Sequence, residues 1–153
     1  MTRNRSILLA AFGSLALLLG ALGFQFIGGL APCHLCLLQR WPHLVAICIG
    51  ALALLIPGRV LPLLGAAAAL TTAGLGLYHA GVEQKWWEGP NTCTSGDISG
   101  LSASDLTEQL LSNTTVIQCD QIAWSMAGIS MAGWNALISL ALVAVWLMAV
   151  RRS

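Results

Sequence analysis

Four long apolar runs divide the chain, and the polar residues gather between them. The first runs from about Ser6 to Ile27 and holds no charge. The second, Trp41–Ile56, is short, and reaches spanning length only if Leu35, Leu37 and Leu38 also count as helix or interface. The third runs from about Val60 to His79 and is rich in Ala, Leu and Gly; the fourth runs from about Ile129 to Val150. A bilayer core is about 30 Å thick and takes about 20 apolar residues of helix to cross. The pattern therefore predicts an all-α membrane protein: a four-helix up-down transmembrane bundle, one membrane domain over residues 1–153, with external loops at about 28–40 and 80–128. A buried soluble bundle would need polar outer faces, which these runs lack. Ala66–Ala69, Gly74 and Gly76 would let neighbouring helices approach closely. Pro57-Gly58-Arg59 reads as a tight turn between the second and third runs. The first run is longer than the apolar part of a signal peptide, so it reads as a retained span.

Composition strengthens this picture. The chain has 153 residues, 57% apolar and only 8% charged, with a mean hydropathy of +0.79. Soluble domains carry about 25% charged residues, so a soluble fold, a disordered chain and a nucleic-acid-binding surface are all excluded. The net charge of +1 is uninformative until it is sorted by position. Arg3 and Arg5 precede the first run, Arg59 separates the second from the third, and Arg151 and Arg152 follow the fourth. With four spans these bases share one side, and the positive-inside rule places both termini in the cytoplasm. All six acidic residues fall between Gly81 and Gly128, in the long loop. Trp86, Trp87 and Trp124 near its ends fit an interfacial aromatic belt. A short helix near Ala103–Leu111 is expected within it.

The same parity sorts the cysteines. Cys33 and Cys36 lie between spans one and two, and Cys93 and Cys119 between spans three and four, so all four face the external compartment. That compartment permits disulfides, and the spacing suggests pairs Cys33–Cys36 and Cys93–Cys119. The second pair closes a loop of about 25 residues, which suits an ordinary structural bridge. A bridge across two intervening residues constrains little chain. C-x-x-C is instead the spacing of redox pairs, in which one thiol resolves mixed disulfides made by the other. Arg40, four residues after Cys36, would share its helix face and favour a thiolate there. Pro42 raises an alternative, with the cysteines on a separate short turn and the second helix starting at Trp41. Cys48 inside the second run reads as a small packing residue. His34 and His43 read as a variable position and an interfacial residue. A zinc site from Cys33, His34, Cys36 and His43 is set aside, because the second C-x-x-C of the usual pattern is missing.

The segment Pro32-Cys33-His34-Leu35-Cys36-Leu37-Leu38-Gln39-Arg40 closely resembles the disulfide bond formation protein B (DsbB) family. So do the four spans, the two further loop cysteines and the run Ser130-Met131-Ala132-Gly133-Trp134-Asn135. The resemblance implies a thiol:quinone oxidoreductase of the bacterial inner membrane, with ubiquinone or menaquinone as cofactor and a DsbA-like periplasmic dithiol oxidase as partner. It implies that Cys93 forms the mixed disulfide with that partner and that Cys119 is its internal partner. Cys33 and Cys36 would be the pair beside the quinone, with Cys36 as the contacting thiolate. Arg40 would hold a quinone oxygen, with His79 near the ring and Gln25 as a further polar residue of the site. Some members carry an acidic residue where Gln39 stands here. Vitamin K epoxide reductase also sets C-x-x-C beside a quinone, but late in its bundle rather than between spans one and two. A non-catalytic membrane scaffold or transporter subunit with two structural disulfides is the alternative from another class.

Overall fold

The computed structural model describes residues 2–90 and 118–152. Helix α1 spans Arg3–Phe26, α2 His34–Leu55 and α3 Val60–Glu83. A hairpin of β1 (Ser125–Met126) and β2 (Ile129–Ser130) then leads into α4 (Met131–Arg151). All four helices are long and apolar enough to cross a membrane. At 21 to 24 residues and about 1.5 Å per residue, each covers a hydrocarbon core of about 30 Å.

Small residues set the packing. Trp146 of α4 is fully buried against Ile7, Ala53, Ala66 and Ala69, which come from the other three helices. Gly65 makes room for it: a Cβ there would lie 2.7 Å from the indole ring. Gly76, three turns further along α3, admits the α4 backbone at Ala132 and Ala136 in the same way. Without a hydrophobic driving force between helices in lipid, such close contact is a main source of association. Leu52, Leu63, Leu70, Leu137 and Leu147 point outward, as a lipid-facing surface requires.

The two ends of the bundle differ. At one end Arg3 reaches from α1 to the last turn of α2, where its Nη2 donates to the carbonyls of Ala53 (2.8 Å) and Ile56 (3.0 Å). Gly58, at φ +130°, supplies the turn into α3. At the other end Cys33, Leu35, Val82 and Cys119 form a second buried cluster. The β1–β2 hairpin sits there, its two-residue turn made by Ala127 and Gly128, both at positive φ.

Two expectations need correction. The second helix begins at His34 rather than Trp41, so the cysteines do not occupy a separate turn; Pro42 lies inside the helix. A proline removes one helical bond and crowds the carbonyl four residues back. That carbonyl is Leu38's; one residue on, the Gln39 carbonyl accepts from the hydroxyl of Thr72 on α3 (3.1 Å), which ties this part of α2 to its neighbour. Cys48 does not pack inside the bundle: it is exposed on the lipid-facing side of α2, where a thiol is still a tolerable small hydrophobe. The helix expected near Ala103–Leu111 lies outside the described residues.

Candidate active site

The N-terminus of α2 carries the dithiol. Pro32 leads in, and Cys33 takes an extended conformation (φ −76°, ψ 171°) as the N-cap. Its sulfur does the work usually given to a serine or aspartate oxygen, accepting from the Cys36 backbone N–H at 3.2 Å. Cys36 follows one turn later. Both residues are free thiols, and Cys33 Sγ donates to Cys36 Sγ at 2.9 Å. The helix N-terminus favours negative charge on these sulfurs. The Cys33 thiol itself is pushed far above the ordinary thiol range, first by its hydrogen bond to Cys36, then by burial and by negative charge on Cys36. Cys33 is thus the donor of the pair and Cys36 the acceptor.

Two further segments converge on Cys33. His79, one turn before the end of α3, sets Nε2 at 3.6 Å from Cys33 Sγ. Cys119, wholly buried, brings its sulfur into the same group, so that the sulfurs of Cys33 and Cys119 and a His79 ring nitrogen lie within 4.8 Å of one another. Cys119 is disulfide-bonded, which removes the thiolate a metal would need from this trio. Cys93, the pairing expected for Cys119, lies outside the described residues. His34 is exposed. His43, expected at the interface, is instead buried, its Nε2 2.9 Å from Asn135 Oδ1.

Behind the dithiol a polar network runs through the bundle. Gln39 Nε2 contacts His79 Nδ1 at 2.9 Å and donates to the Leu35 carbonyl at 3.2 Å. Asn135 of α4 donates from Nδ2 to Gln39 Oε1 at 2.7 Å and to Thr72 Oγ1 at 3.2 Å. Glu83 lies in the same region, its side chain only 5% exposed and its Oε1 3.9 Å from His79 Nε2. Polar side chains inside membrane spans are costly, and they mark functional sites by default. Sequence reasoning passed over Gln39, Glu83 and Asn135 as site residues. The available signals were their polarity within or beside apolar runs, and the spacing of Glu83 four residues after His79.

Cys33 and Cys36 open onto a cavity of about 720 Å³ between α1, α2 and α4. Leu17, Leu18, Phe24, Trp124 and Ile138 supply much of its apolar wall, and the rings of Phe24 and Trp124 lie 5.0 Å apart. Arg40 lines it, as do Gln39, His79 and Glu83. Arg40 Nη1 is held by Gln25 Oε1 at 2.6 Å and its Nη2 reaches the Ala21 carbonyl at 3.5 Å. Its Nε is buried and has no hydrogen-bond partner among the described residues. An unsatisfied guanidinium donor in an apolar pocket fits a flat, largely apolar ligand carrying a polar oxygen. Gln25 reaches this site through Arg40, whose orientation it fixes.

Known proteins similar to this chain share one family. The family model for disulfide bond formation protein DsbB matches residues 3–149. A disulfide bond formation protein B of Methylococcus capsulatus is 35% identical over 127 residues, covering 78% of this chain and 76% of that protein. One from Stutzerimonas stutzeri is 29% identical, covering 93% of each. One from a Polaromonas species is 26% identical, covering 97% of this chain and 91% of its own. With four helices able to cross a membrane and a family match over nearly its whole length, this chain belongs to the DsbB family of membrane oxidoreductases that form disulfide bonds.

Proposed function

We propose that this protein is a thiol:quinone oxidoreductase of the bacterial inner membrane, with both termini in the cytoplasm. It reoxidises a DsbA-like periplasmic dithiol protein and passes the electrons to membrane ubiquinone or menaquinone. The observation that carries this reading is the position of the Cys33–Cys36 dithiol, with Cys119 on one side and the apolar cavity with its unpaired Arg40 Nε on the other. The scaffold alternative predicts that no quinone is bound and that the cysteines resist reduction.

The steps follow from thiolate attack through mixed disulfides. A thiolate of the reduced partner attacks Cys93 of a Cys93–Cys119 bridge, and Cys119 leaves as a thiolate. Cys119 attacks Cys33 of an oxidised Cys33–Cys36 pair; the Cys33–Cys119 bond forms and Cys36 leaves as a thiolate at the cavity mouth. The partner's second thiol resolves the mixed disulfide, freeing the oxidised partner and the Cys93 thiolate. Cys93 attacks Cys119, restoring the loop bridge and releasing Cys33. The Cys33–Cys36 pair then surrenders two electrons and closes again. A bound quinone supplies the redox chemistry, taking up two electrons and two protons. Arg40 Nε would hold one of its oxygens, with Gln25 holding Arg40. The driving force has the right sign only for a strong acceptor, since the DsbA couple lies at about −120 mV, unusually oxidising for a dithiol.

The test is anaerobic mixing of the purified protein, quinone and a reduced DsbA-like protein, followed by quinone absorbance. One quinone should be reduced for each partner molecule oxidised. Oxidation of the partner without loss of quinone absorbance would overturn the proposal.

A further inference from the structure

The hydrogen bonds around Gln39 decide where His79 carries its proton. The Leu35 carbonyl can only accept, so the Gln39 side-chain atom 3.2 Å from it is the amide nitrogen. That same nitrogen is 2.9 Å from His79 Nδ1. An amide nitrogen has no lone pair to offer, so Nδ1 accepts and is unprotonated. In the neutral ring the proton then sits on Nε2, the atom facing Cys33 Sγ at 3.6 Å. Glu83 Oε1, at 3.9 Å, is beyond hydrogen-bond reach, so the Nε2 proton is shared between Cys33 Sγ and the backbone carbonyl of Cys119, which also accepts from the ring.

Asn135 of α4 holds the other end of the Gln39 amide. The Thr72 carbonyl, 3.5 Å from one Asn135 side-chain atom, can only accept, which makes that atom the nitrogen. The same nitrogen donates to Gln39 Oε1 at 2.7 Å. Gln39 is therefore held in one orientation at both ends of its amide. Cys33 Sγ consequently faces two N–H donors: the Cys36 backbone N–H at 3.2 Å and His79 Nε2–H at 3.6 Å.

We propose that Gln39, oriented by Asn135, locks His79 in the Nε2–H tautomer, so that the ring donates to Cys33 Sγ and stabilises it as a leaving thiolate. This rests on the relay described above and assigns a step within it. When the Cys93 thiolate attacks Cys119, the Cys119–Cys93 bond forms and the Cys33–Cys119 bond breaks. The electron pair leaves on Cys33, and the two N–H donors meet the new charge. No proton is transferred and no further reactant is needed. In this tautomer His79 is a donor to the sulfur and not a base for the thiol. Gln39 and Asn135 are positioning residues, acting through His79.

Two measurements test this. The first is the ¹⁵N spectrum of histidine-labelled full-length protein in detergent, with the His79 signals assigned by comparison with His79→Gln. The proposal expects a protonated Nε2 and an unprotonated, hydrogen-bonded Nδ1; a protonated Nδ1 in the wild-type protein would overturn it, whatever the protein's activity toward quinone. The second uses a Cys36→Ser, Cys93→Ser background oxidised to the Cys33–Cys119 bridge, with reduction by dithiothreitol as the readout. Losing a hydrogen bond to a charged group slows such a step by roughly 10- to 100-fold, so adding Gln39→Met should slow reduction by that factor and populate both tautomers. An unchanged rate with an unchanged spectrum would also overturn it. Neither measurement involves quinone, so a failure of the thiol:quinone reading would show separately, in the mixing experiment.

Discussion

The two ends of the bundle are built from the same apolar helices by opposite rules. At the arginine end, Trp146 fills the space left by Gly65 and Ala66, and Arg3 closes the end of α2. At the cysteine end, Gln39, His43, Thr72, His79 and Asn135 are packed between helices and bonded to one another. An apolar interface is satisfied by shape alone. A polar one inside a membrane is costly unless its groups find partners, and it marks a functional site by default. On the proposed function stability belongs to one end and catalysis to the other, and substitutions at each end can separate the two.

The largest effect is expected at Cys36. Cys36→Ser removes the thiolate at the cavity mouth, and quinone reduction should fall to background while the helical bundle melts as before. Helix α2 keeps its N-cap, because Cys33 accepts from the backbone N–H of residue 36 whatever its side chain. Quinone turnover persisting in this variant would end the assignment of Cys36.

Trp146 is the counterpart at the other end. Truncation of a fully buried tryptophan costs about 3–5 kcal/mol, so Trp146→Ala should lower stability in detergent by that amount. Turnover per folded molecule should stay unchanged. The indole nitrogen has no hydrogen-bond partner among the described residues, so the residue acts by shape, and Trp146→Phe should recover most of the loss. A fall in turnover per folded molecule would show that the two ends are coupled.

Arg40 comes next. Its Nε is the unpaired donor in the cavity, and a hydrogen bond to a charged group contributes about 1.5–3 kcal/mol. Arg40→Ala should therefore raise the quinone KM by roughly 10- to 100-fold and leave the KM for the dithiol partner nearly unchanged. An unchanged quinone KM would reduce Arg40 to an arginine whose charge merely reaches the interface.

What could be read from the sequence follows the same division. The four helices were legible because the bilayer fixes their length, and the dithiol because two intervening residues constrain too little chain for a structural bridge. The sharing of a helix face by Cys36 and Arg40 follows from their four-residue spacing. The start of α2 was not legible, since Pro42 reads as a boundary by rules that hold for isolated helices, whereas here the helix runs through it from His34. Gln39, His79 and Asn135 meet only because three helices bring them together, and no periodicity within one helix carries that information. Glu83 was missed because it lies beyond the apolar run, whereas α3 continues one turn past His79 to include it.

The smallest effect is expected at Arg3, and it is the most direct test of the rule for the packed end. Its guanidinium donates to the carbonyls of Ala53 and Ile56 at the close of α2, where the helix leaves its last acceptors unpaired. A cation there also meets the negative end of the helix dipole. Such a contact near the surface is worth about 0.3–1 kcal/mol, so Arg3→Gln should destabilise the bundle by no more than that, with the loss shrinking as salt is raised. Arg3 lies at the end of the bundle opposite the dithiol, so the rates of partner oxidation and quinone reduction should not change. A loss of turnover larger than the loss of folded protein would mean that the arginine end positions the site as well as holding the helices together.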